Sequence, residues 1–390
     1  MLLIKIFQFK GGKMVYLDYA AATPVDREVL FCYSEVTCKY FANPNSSHKL
    51  GREANHLIMA STQKIASFFK IEPEEIIYTS GSSESNNLAI KGIAERYKNF
   101  GRHILISSLE HNSIVSSATY LQEQGFEVEV LPVDRNGLVD LEVLKMMLRK
   151  DTILVSVCAV DSEIGLKQPL EEIGKILKDY PNCYFHTDAT QAVGKIPLNL
   201  ENIDLVTFAP HKFYGLTGIG VLVKKKNVSL RPQIDGGKST TIYRSGTPEV
   251  ASIVALEKAL SLSLSFLDER YRIVSSFYHE IRDRLCTYPK VVVNSTVNSI
   301  PYMLNFSVVG VQATWLQQKL EEREIYVSTK TSCCPVMTPS KLVYALTKDK
   351  NKAISSIRIS LSHLTTDEEV NQFLIGFDEI YREAERNGKI

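Results

Sequence analysis

The 390-residue sequence lacks the features that mark several specialised classes of protein. Its charges nearly cancel, with 45 basic and 44 acidic side chains and a net charge of +1, so no overall field attracts nucleic acid or an anionic membrane. It also lacks an apolar run long enough to cross a bilayer, and the run 153–160 has the length of a buried strand. No nucleic-acid or membrane partner is therefore expected.

Cysteine is too scarce and too irregular to define a disulfide framework or a metal site. The seven cysteines are odd in number, and neither a Cys-x-x-Cys pair nor a histidine cluster accompanies them. A chain of this length does not depend on disulfides, so reduced thiols in a cytoplasmic protein are expected. No metal site is predicted.

The first residues lack the pattern of a signal peptide. Residues 1–9 form a short apolar run, and no small-residue cleavage pattern follows it. Residues 10–13, Lys-Gly-Gly-Lys, are what a purine-rich ribosome-binding sequence would encode, which predicts that translation starts at Met14. Mass spectrometry of the native N-terminus tests this hypothesis, and a peptide containing residues 1–13 would contradict it.

What the sequence does contain is an ordinary globular composition, 44% apolar and 23% charged, in a chain long enough for two domains. In its middle part, strand patterns that are apolar on both faces alternate with helical patterns. This alternation predicts a mainly parallel sheet covered by helices on both sides. The expected strands are 76–78, 103–107, 126–132, 152–160, 183–187, 203–209 and 219–223. The expected helices between them are 113–124, 140–149 and 169–178.

Beyond about residue 255 the pattern changes to short strands and longer helices. One long helix is predicted over 255–285, and the last helix starts with a capping box between Thr366 and Glu369. The short strands expected between these helices are 291–294, 303–307 and 356–360. We therefore predict a large α/β domain over 15–255 and a smaller α+β domain over 256–390, to which residues 1–20 also contribute.

Two polar segments at strand ends are candidates for binding a phosphorylated ligand. Residues 79–87, which include Ser82 and Ser83, join a strand to a helix, where exposed backbone N–H groups favour a phosphate; an ordinary helix cap is the alternative. Asp188 ends another strand and faces the expected ligand crevice. There it could hold a protonated ring nitrogen, or it could cap the next helix.

A lysine and a pair of cysteines are candidates for covalent chemistry. Lys212 precedes a glycine-rich turn, where it could form a Schiff base in a partly desolvated site or be a solvated loop lysine. Cys333 and Cys334 lie on an expected surface loop, before a helix predicted to start at Pro339 with Thr338 as its cap. A thiol there could be a nucleophile, an incidental surface cysteine, or half of a vicinal redox disulfide.

The order of these motifs resembles the cysteine desulfurases, in the class V aminotransferase group of pyridoxal-phosphate (PLP) enzymes. The resemblance runs from about residue 15 to 385 and implies PLP fold type I, with a mainly parallel seven-stranded sheet flanked by helices and a smaller α+β domain. The matching motifs are Leu-Asp-Tyr-Ala-Ala-Ala-Thr-Pro at 17–24, Asn-Pro-Asn-Ser-Ser-His at 43–48, Asp-Ala-Thr-Gln at 188–191, His-Lys at 211–212 and Arg-Ser-Gly-Thr at 244–247.

The resemblance implies a role for each matching residue. Lys212 would bind the cofactor aldehyde covalently and later carry the α-proton, and His111 would stack on the ring and assist acid–base steps. Asp188 would pair with the pyridine nitrogen and Gln191 with the ring hydroxyl. The expected phosphate contacts are Ser82, Ser83, His211 and, from the other subunit of a homodimer, Thr247. The expected substrate contacts are Arg358, which would clamp the carboxylate, and Ser162.

Cys333 would be the sulfur acceptor in this scheme. It would take the sulfur of L-cysteine as a persulfide, release L-alanine, and pass the sulfur to an acceptor protein for iron–sulfur clusters or thiolated tRNA. A mobile loop suits this role, because the thiol must reach the substrate and then leave with its cargo. Cys334 would be a resolving or relay thiol, or inert, and we favour inert.

Some positions depart from the family pattern. Ser162 replaces an asparagine that contacts cofactor and substrate, and Ala209 stands where a phosphate-binding serine is usual. Losing one hydrogen bond to a charged group costs about 1.5–3 kcal/mol, so weaker cofactor binding is expected. The glycine-rich run before Arg244 is degraded, and Lys238 could compensate by adding positive charge. The alternatives are therefore another class V chemistry (selenocysteine lyase, cysteine sulfinate desulfinase or aminotransferase) or a sulfur carrier with low turnover.

Overall fold

The computed structural model describes residues 14–330 and 338–390, so residues 1–13 and the segment 331–337, with Cys333 and Cys334, lie outside the described residues. The strands are β1 (Val15–Tyr16), β2 (Ile76–Thr79), β3 (His103–Ser107), β4 (Glu127–Leu131), β5 (Thr152–Ser156), β6 (Tyr184–Asp188), β7 (Leu205–Phe208), β8 (Gly220–Lys224), β9 (Val291–Val293), β10 (Met303–Val308), β11 (Ile325–Tyr326) and β12 (Ser356–Ser360). The helices are α1 (Arg27–Lys39), α2 (Lys49–Phe69), α3 (Ser82–Tyr97), α4 (Asn112–Glu123), α5 (Leu141–Met147), α6 (Leu170–Leu177), α7 (Val250–Ser265), α8 (Leu267–Leu285), α9 (Ala313–Glu321), α10 (Lys341–Thr347), α11 (Lys350–Ile354) and α12 (Asp367–Arg386).

The main sheet has seven strands in the order β2-β8-β7-β6-β5-β3-β4. All run parallel except β8, which is antiparallel to both of its neighbours. The predicted fold, a mainly parallel seven-stranded sheet flanked by helices, is confirmed. The central strands are buried throughout, whereas the edge strand β4 exposes Glu127, a charge that discourages pairing with another strand.

The side chains of successive residues in a strand point to opposite faces of the sheet. Ile104 packs in an apolar cluster with Leu88 of α3 and Ile114 of α4. Its neighbour Leu105 packs in the main core, which includes Val254 of α7 and side chains from α2 and α6. This alternation is why the strands are apolar at every position. Because most of the strands run parallel, their carboxyl ends lie along one side of the sheet.

A second sheet, with the order β12-β10-β9, is antiparallel and packs against α8 and, through Phe306 and Phe377, against α12. The N-terminal segment joins this part of the molecule, because β1 pairs with β11 and the N–H of Ser360 donates to the carbonyl of Leu17 at 2.8 Å. The domain boundary at residues 255/256 stays a prediction.

The single long helix expected over 255–285 is wrong. Helices α7 and α8 meet at Phe266 with a bend of 66°. The buried α7 packs on α1 and α2, while α8 turns away to cover the small sheet. Asp268 and Glu269 at the start of α8 were the local sign of a new helix, since acidic residues favour a helix N-terminus.

Two smaller differences concern segments that lead to the candidate site. The strand expected over 152–160 ends at Ser156, although the N–H groups of Val157 and Ala159 still bond to carbonyls at the end of β6. The helix expected from Pro339 begins at Lys341, and Ser340 caps it by accepting from the N–H of Val343 at 3.1 Å. Ser340 is an equally good cap residue and lies closer to the helix.

Within the described ranges, no single helix is long and apolar enough to span a membrane, while α7 and α8 meet the length and composition test only as a bent pair.

Candidate active site

A cavity of about 390 Å³ opens at the carboxyl ends of the parallel strands, the edge where open α/β sheets usually bind ligands. Nine of the predicted site residues line it: Ser82, Ser83, His111, Ser162, Asp188, Gln191, His211, Lys212 and Arg358. Thr247 lies instead in a neighbouring cavity of about 210 Å³, which shares Ser80 with the first. Cys333 lies outside the described residues. The individual roles of these residues stay predictions.

Asp188 forms part of the floor of the cavity and is held on both of its oxygens. Its Oδ1 accepts from the N–H of Thr190 at 2.9 Å, and its Oδ2 accepts from Nδ2 of Asn86 at 2.8 Å. Asn86 is fully buried in α3 and also donates to Oγ of Ser113 at 2.9 Å. The carboxylate is therefore fixed in orientation before any ligand arrives. Sequence reasoning missed Asn86, although it lies one helical turn after Ser82.

Lys212 ends a short 3₁₀ turn and reaches into the cavity. Its Nζ donates to the carbonyls of Ala20 and Ala21 at 2.9 and 2.6 Å, so it is not a solvated loop lysine. Next to it, burial and the charges of Lys212 and Lys195 lower the pKa of His211 to about 4. His211 is therefore neutral at neutral pH, and its ring can offer one N–H to a ligand.

His111 caps α4, and its Nδ1 lies 2.9 Å from Oγ of Ser113 and accepts from the N–H of that residue at 3.2 Å. The preceding residue, Glu110, is completely buried, and burial raises its pKa to about 8. Its Oε1 accepts from Oγ of Ser107 at 2.6 Å and from the N–H of Cys158 at 2.7 Å. Glu110 is thus mostly protonated at neutral pH, and it holds the cavity wall without adding a full negative charge.

Cys158 is a thiol in the cavity wall that sequence reasoning did not single out. Its Sγ lies 3.7 Å from the carbonyl of Leu109, and burial raises its pKa well above the ordinary value. A protonated, buried thiol is a poor nucleophile. Cys158 is therefore a wall residue rather than a competitor for the role predicted for Cys333.

Arg358 lies almost fully buried at the opposite wall. Its Nη2 donates to Oδ1 of Asp18 at 2.6 Å, and its Nη1 donates to the carbonyl of Ser162 at 2.7 Å. These two bonds orient the guanidinium, which has five N–H donors and so keeps capacity for a carboxylate ligand. Ser162, which also lines the cavity, thus contributes its backbone to the orientation of Arg358.

The end of the cavity near α3 carries the expected phosphate contacts. Ser82 and Ser83 begin this 16-residue helix, whose positive end faces the cavity. Glu84 follows, and its Oε1 accepts from Nε of Arg244 at 3.0 Å. This ion pair and the bond from Ser80 lower the pKa of Glu84 although burial opposes the shift. Arg244, part of the expected Arg-Ser-Gly-Thr motif, therefore neutralises an acid at this helix start.

Two residues that the sequence analysis discussed lie apart from this cavity. Ala209 is fully buried beneath the turn that carries Lys212 and does not line the cavity. Lys238 is exposed and does not line it either, so the described residues give no support to the compensating charge suggested for it.

Comparison with known proteins gives consistent matches over most of the chain. The family model described as aminotransferase class-V matches residues 15–373. A NifS/IcsS protein homolog of Lactobacillus delbrueckii subsp. bulgaricus is 40% identical over 376 residues, covering 95% of this chain and 97% of that one. Cysteine desulfurase IscS of Dictyoglomus turgidum is 38% identical over 368 residues, covering 92% of each. A solved NifS-like protein is 33% identical with a TM-score of 0.89, covering 95% of this chain and 99% of the other.

Proposed function

The chain belongs to the class V aminotransferase family and is a cysteine desulfurase, and from that premise we propose that it takes sulfur from L-cysteine in the cavity around Lys212, with PLP as its cofactor. The predicted family, fold and enzyme class are confirmed by these comparisons. The observation that carries the proposed site is the convergence in one cavity of an amine (Lys212), a fixed carboxylate (Asp188) and an oriented guanidinium (Arg358).

The residues present fit PLP. Asp188, held by Asn86 and the N–H of Thr190, would accept a hydrogen bond from the pyridine nitrogen. The positive end of α3 with Ser82 and Ser83 would hold the phosphate, and neutral His211 would donate an N–H to it. When bound, the cofactor serves as an electron sink that acidifies the α-carbon of an amino acid.

Lys212, Arg358 and His111 would handle the substrate. Arg358, oriented by Asp18, would receive the carboxylate of L-cysteine. Lys212 would hold the cofactor aldehyde and then carry the α-proton, because it is the one lysine among the described residues that lines the cavity. His111 would assist proton transfer from its fixed position at the start of α4.

Cys333 remains the proposed sulfur acceptor, and the described residues on both sides of its segment support this proposal. Ser328 exchanges two backbone hydrogen bonds with Arg358, at 2.6 and 3.1 Å, so the chain enters the segment beside the cavity wall. Nζ of Lys330 donates to the carbonyl and hydroxyl of Thr338 at 2.6 and 2.8 Å, which joins the two ends of the segment. The buried thiol of Cys158 lacks the reactivity that the step needs.

A homodimer, a sulfur-acceptor protein and a cytoplasmic location complete the proposal. Thr247 lies outside the cavity of its own chain, which is compatible with a contribution to a partner subunit's phosphate site. Helix α1 and the residues that follow it expose large apolar side chains, and such patches favour association. The most exposed on α1 and α2 and between them are Leu30, Phe31, Phe41, Leu50 and Met59.

The test is an assay for alanine and sulfide with L-cysteine, selenocysteine and cysteine sulfinate in parallel. Turnover of L-cysteine to equal amounts of alanine and, with a reductant, sulfide is expected. Cys333→Ser should abolish sulfide release while cysteine still binds, and the neighbouring Cys334→Ser is the matched control that should leave it unchanged. Loss of activity in Cys334→Ser alone would move the nucleophile by one position. Turnover of selenocysteine or cysteine sulfinate alone would replace the proposed substrate.

A further inference from the structure

A second lysine is buried beside the proposed catalytic lysine. Lys195 is only 6% exposed, and its Nζ donates to Oε1 of Gln191 at 2.6 Å. Within residues 14–330 and 338–390, no carboxylate forms an ion pair with it. Its Nζ also lies 6.0 Å from the centre of the Tyr302 ring. A buried ammonium with only neutral partners is costly, and a methionine of similar length would fill the same space at lower cost. The lysine at this position therefore calls for an explanation other than packing.

Hydrogen bonds connect Lys195 to Lys212 through Gln191. Nε2 of Gln191 donates to the carbonyl of Ala20 at 3.0 Å, and Nζ of Lys212 donates to the same carbonyl at 2.9 Å. When Lys195 is protonated, its ammonium can only donate, and the backbone carbonyl of Ala20 can only accept, so both ends of the Gln191 amide are then fixed by their neighbours. Turning the amide over would place two donors together at Lys195 and two acceptors together at Ala20.

We propose that Lys195 is a positioning residue that locks the Gln191 amide with its N–H₂ group towards Lys212 and the cofactor ring. In that orientation Gln191 presents a donor to an oxygen on the ring, whereas the reversed amide would present an acceptor and repel it. This inference rests on the proposed function, because it concerns the same cavity and the same cofactor.

The positive charge of Lys195 is a second contribution to its proposed role. Burial, then Lys212 and then Arg358 lower the pKa of Lys195 to about 7, so it is partly protonated at neutral pH. Like charges disfavour each other's protonation, and the influence between Lys212 and Lys195 is mutual. A neutral residue at position 195 would remove both the fixed donor and this reciprocal charge.

The test measures cofactor binding and a spectrum, and does not depend on turnover. Apoenzyme of the wild type and of Lys195→Met is titrated with PLP to obtain the dissociation constant, and the visible band of the loaded proteins is followed against pH. Lys195→Met should weaken PLP binding about tenfold, since the Gln191 donor is no longer held towards the ring. It should also raise the midpoint of the pH titration by about one unit, since a nearby positive charge is removed. Lys195→Leu, which also lacks a donor, serves in the same way if the methionine variant does not fold.

A double-mutant cycle separates positioning from general destabilisation. Gln191→Ala alone should produce a similar loss, and Lys195→Met should add almost nothing in the Gln191→Ala background, because the two residues act as one unit. Lys195→Arg, which keeps a charged donor, should restore most of the affinity. Independent, multiplying effects of the two substitutions, or wild-type values in Lys195→Met, would overturn the proposal.

Lys224→Met is the matched control. Lys224 is also buried, and its Nζ donates to the carbonyls of Val228 and Lys225 at 2.7 and 3.1 Å, but it does not line the cavity. Its loss should leave both the PLP affinity and the pH midpoint unchanged. An equal shift in this control would mean that any buried lysine produces the effect. Failure of the proposed function itself would show separately, as wild-type protein that does not bind PLP.

Discussion

The amino ends of the parallel main-sheet strands form one side of the sheet, the amino edge, and their carboxyl ends form the opposite side, the carboxyl edge. Both carry clusters of charged residues, but the clusters differ in burial and in ion pairing. At the amino ends of the strands, Arg149 pairs with Glu127 at 2.7 and 3.0 Å and with Asp151 at 3.3 Å, and its side chain is 36% exposed. At the carboxyl ends, Lys195 is buried without an acidic partner among the described residues, and Glu110 is buried with its pKa raised to about 8.

The contrast separates charges that stabilise a surface from charges that prepare chemistry. Exposed ion pairs contribute about 0–1 kcal/mol to stability, and water screens them. Buried groups with shifted pKa values cost stability, and they cluster where a protein binds or transforms a ligand. The same strands thus position a structural cluster at one end and the proposed active site at the other, and substitutions at the two ends should have opposite consequences.

The largest effect is expected for Lys212→Ala, at the carboxyl edge. The variant should lose the yellow colour of the PLP-loaded protein, and its alanine formation should fall by about a thousandfold or more, because no other lysine of the described residues lines the cavity. Visible spectroscopy and an alanine assay measure both. Its unfolding temperature should stay within a few degrees of the wild type. A yellow variant whose reduced peptide map places PLP on another lysine would refute the proposed site.

A smaller loss is expected for Asn86→Leu, which acts on the same edge from within α3. The substitution leaves Oδ2 of Asp188 without its donor, and one hydrogen bond to a charged group is worth about 1.5–3 kcal/mol. PLP affinity should fall by about tenfold or more, measured by titration of apoenzyme. Asn294→Leu is the control and should change the affinity little, because it removes a buried asparagine that makes two side-chain hydrogen bonds but does not line the cavity. Equal affinities for Asn86→Leu and the wild type would show that Asp188 does not need this support.

These contacts also show where sequence reasoning reaches its limit. Strands apolar on both faces are visible in the sequence, and so is the convergence of Asp188 and Lys212, because the carboxyl ends of parallel strands share one edge. The bond between Asn86 and Asp188 is not visible, because the two residues are 102 positions apart and an asparagine in a helix carries no local sign of its partner.

The sequence also did not decide where one helix ends, which residue caps another, or which lysine is buried. Phe266 separates α7 from α8 where the chain passes from the main sheet to the small one. The acidic pair Asp268 and Glu269 was a local sign of this break, but it is weaker than the continuous helical pattern around it. Thr338 and Ser340 are both good cap residues, and only the structure shows that Thr338 bonds to Lys330 instead. Sequence analysis did not single out Lys195, since its burial depends on the packing of the turn after β6.

An intermediate effect on stability is expected for His186, which lies in β6 between the two edges. Burial lowers the pKa of His186 to about 4, and its ring nitrogens contact hydroxyls of Ser156 and Thr207 at 2.9 and 3.2 Å. The unfolded chain takes up a proton at this side chain below about pH 6.5, whereas the native chain takes it up only near pH 4, so stability falls as the pH drops through that window.

This loss in the free energy of unfolding is of the order of 3 kcal/mol and is complete below about pH 4. Urea unfolding from pH 7 to 4 should therefore be less steeply pH-dependent in His186→Gln than in the wild type. His279→Gln on α8 is the control, and it should keep the wild-type slope. The same slope in His186→Gln would assign the acid sensitivity to other groups.

The smallest effect is expected at the amino edge, where Arg149→Met breaks the exposed pairs with Glu127 and Asp151. The free energy of unfolding should fall by about 1 kcal/mol or less, because water already screens these charges, and raised salt should shrink the difference further. Alanine formation and PLP affinity should match the wild type, since no atom of this cluster lines the cavity. Because the comparison of the two edges assigns chemistry to burial rather than to charge alone, a loss of activity in Arg149→Met with normal stability would break it.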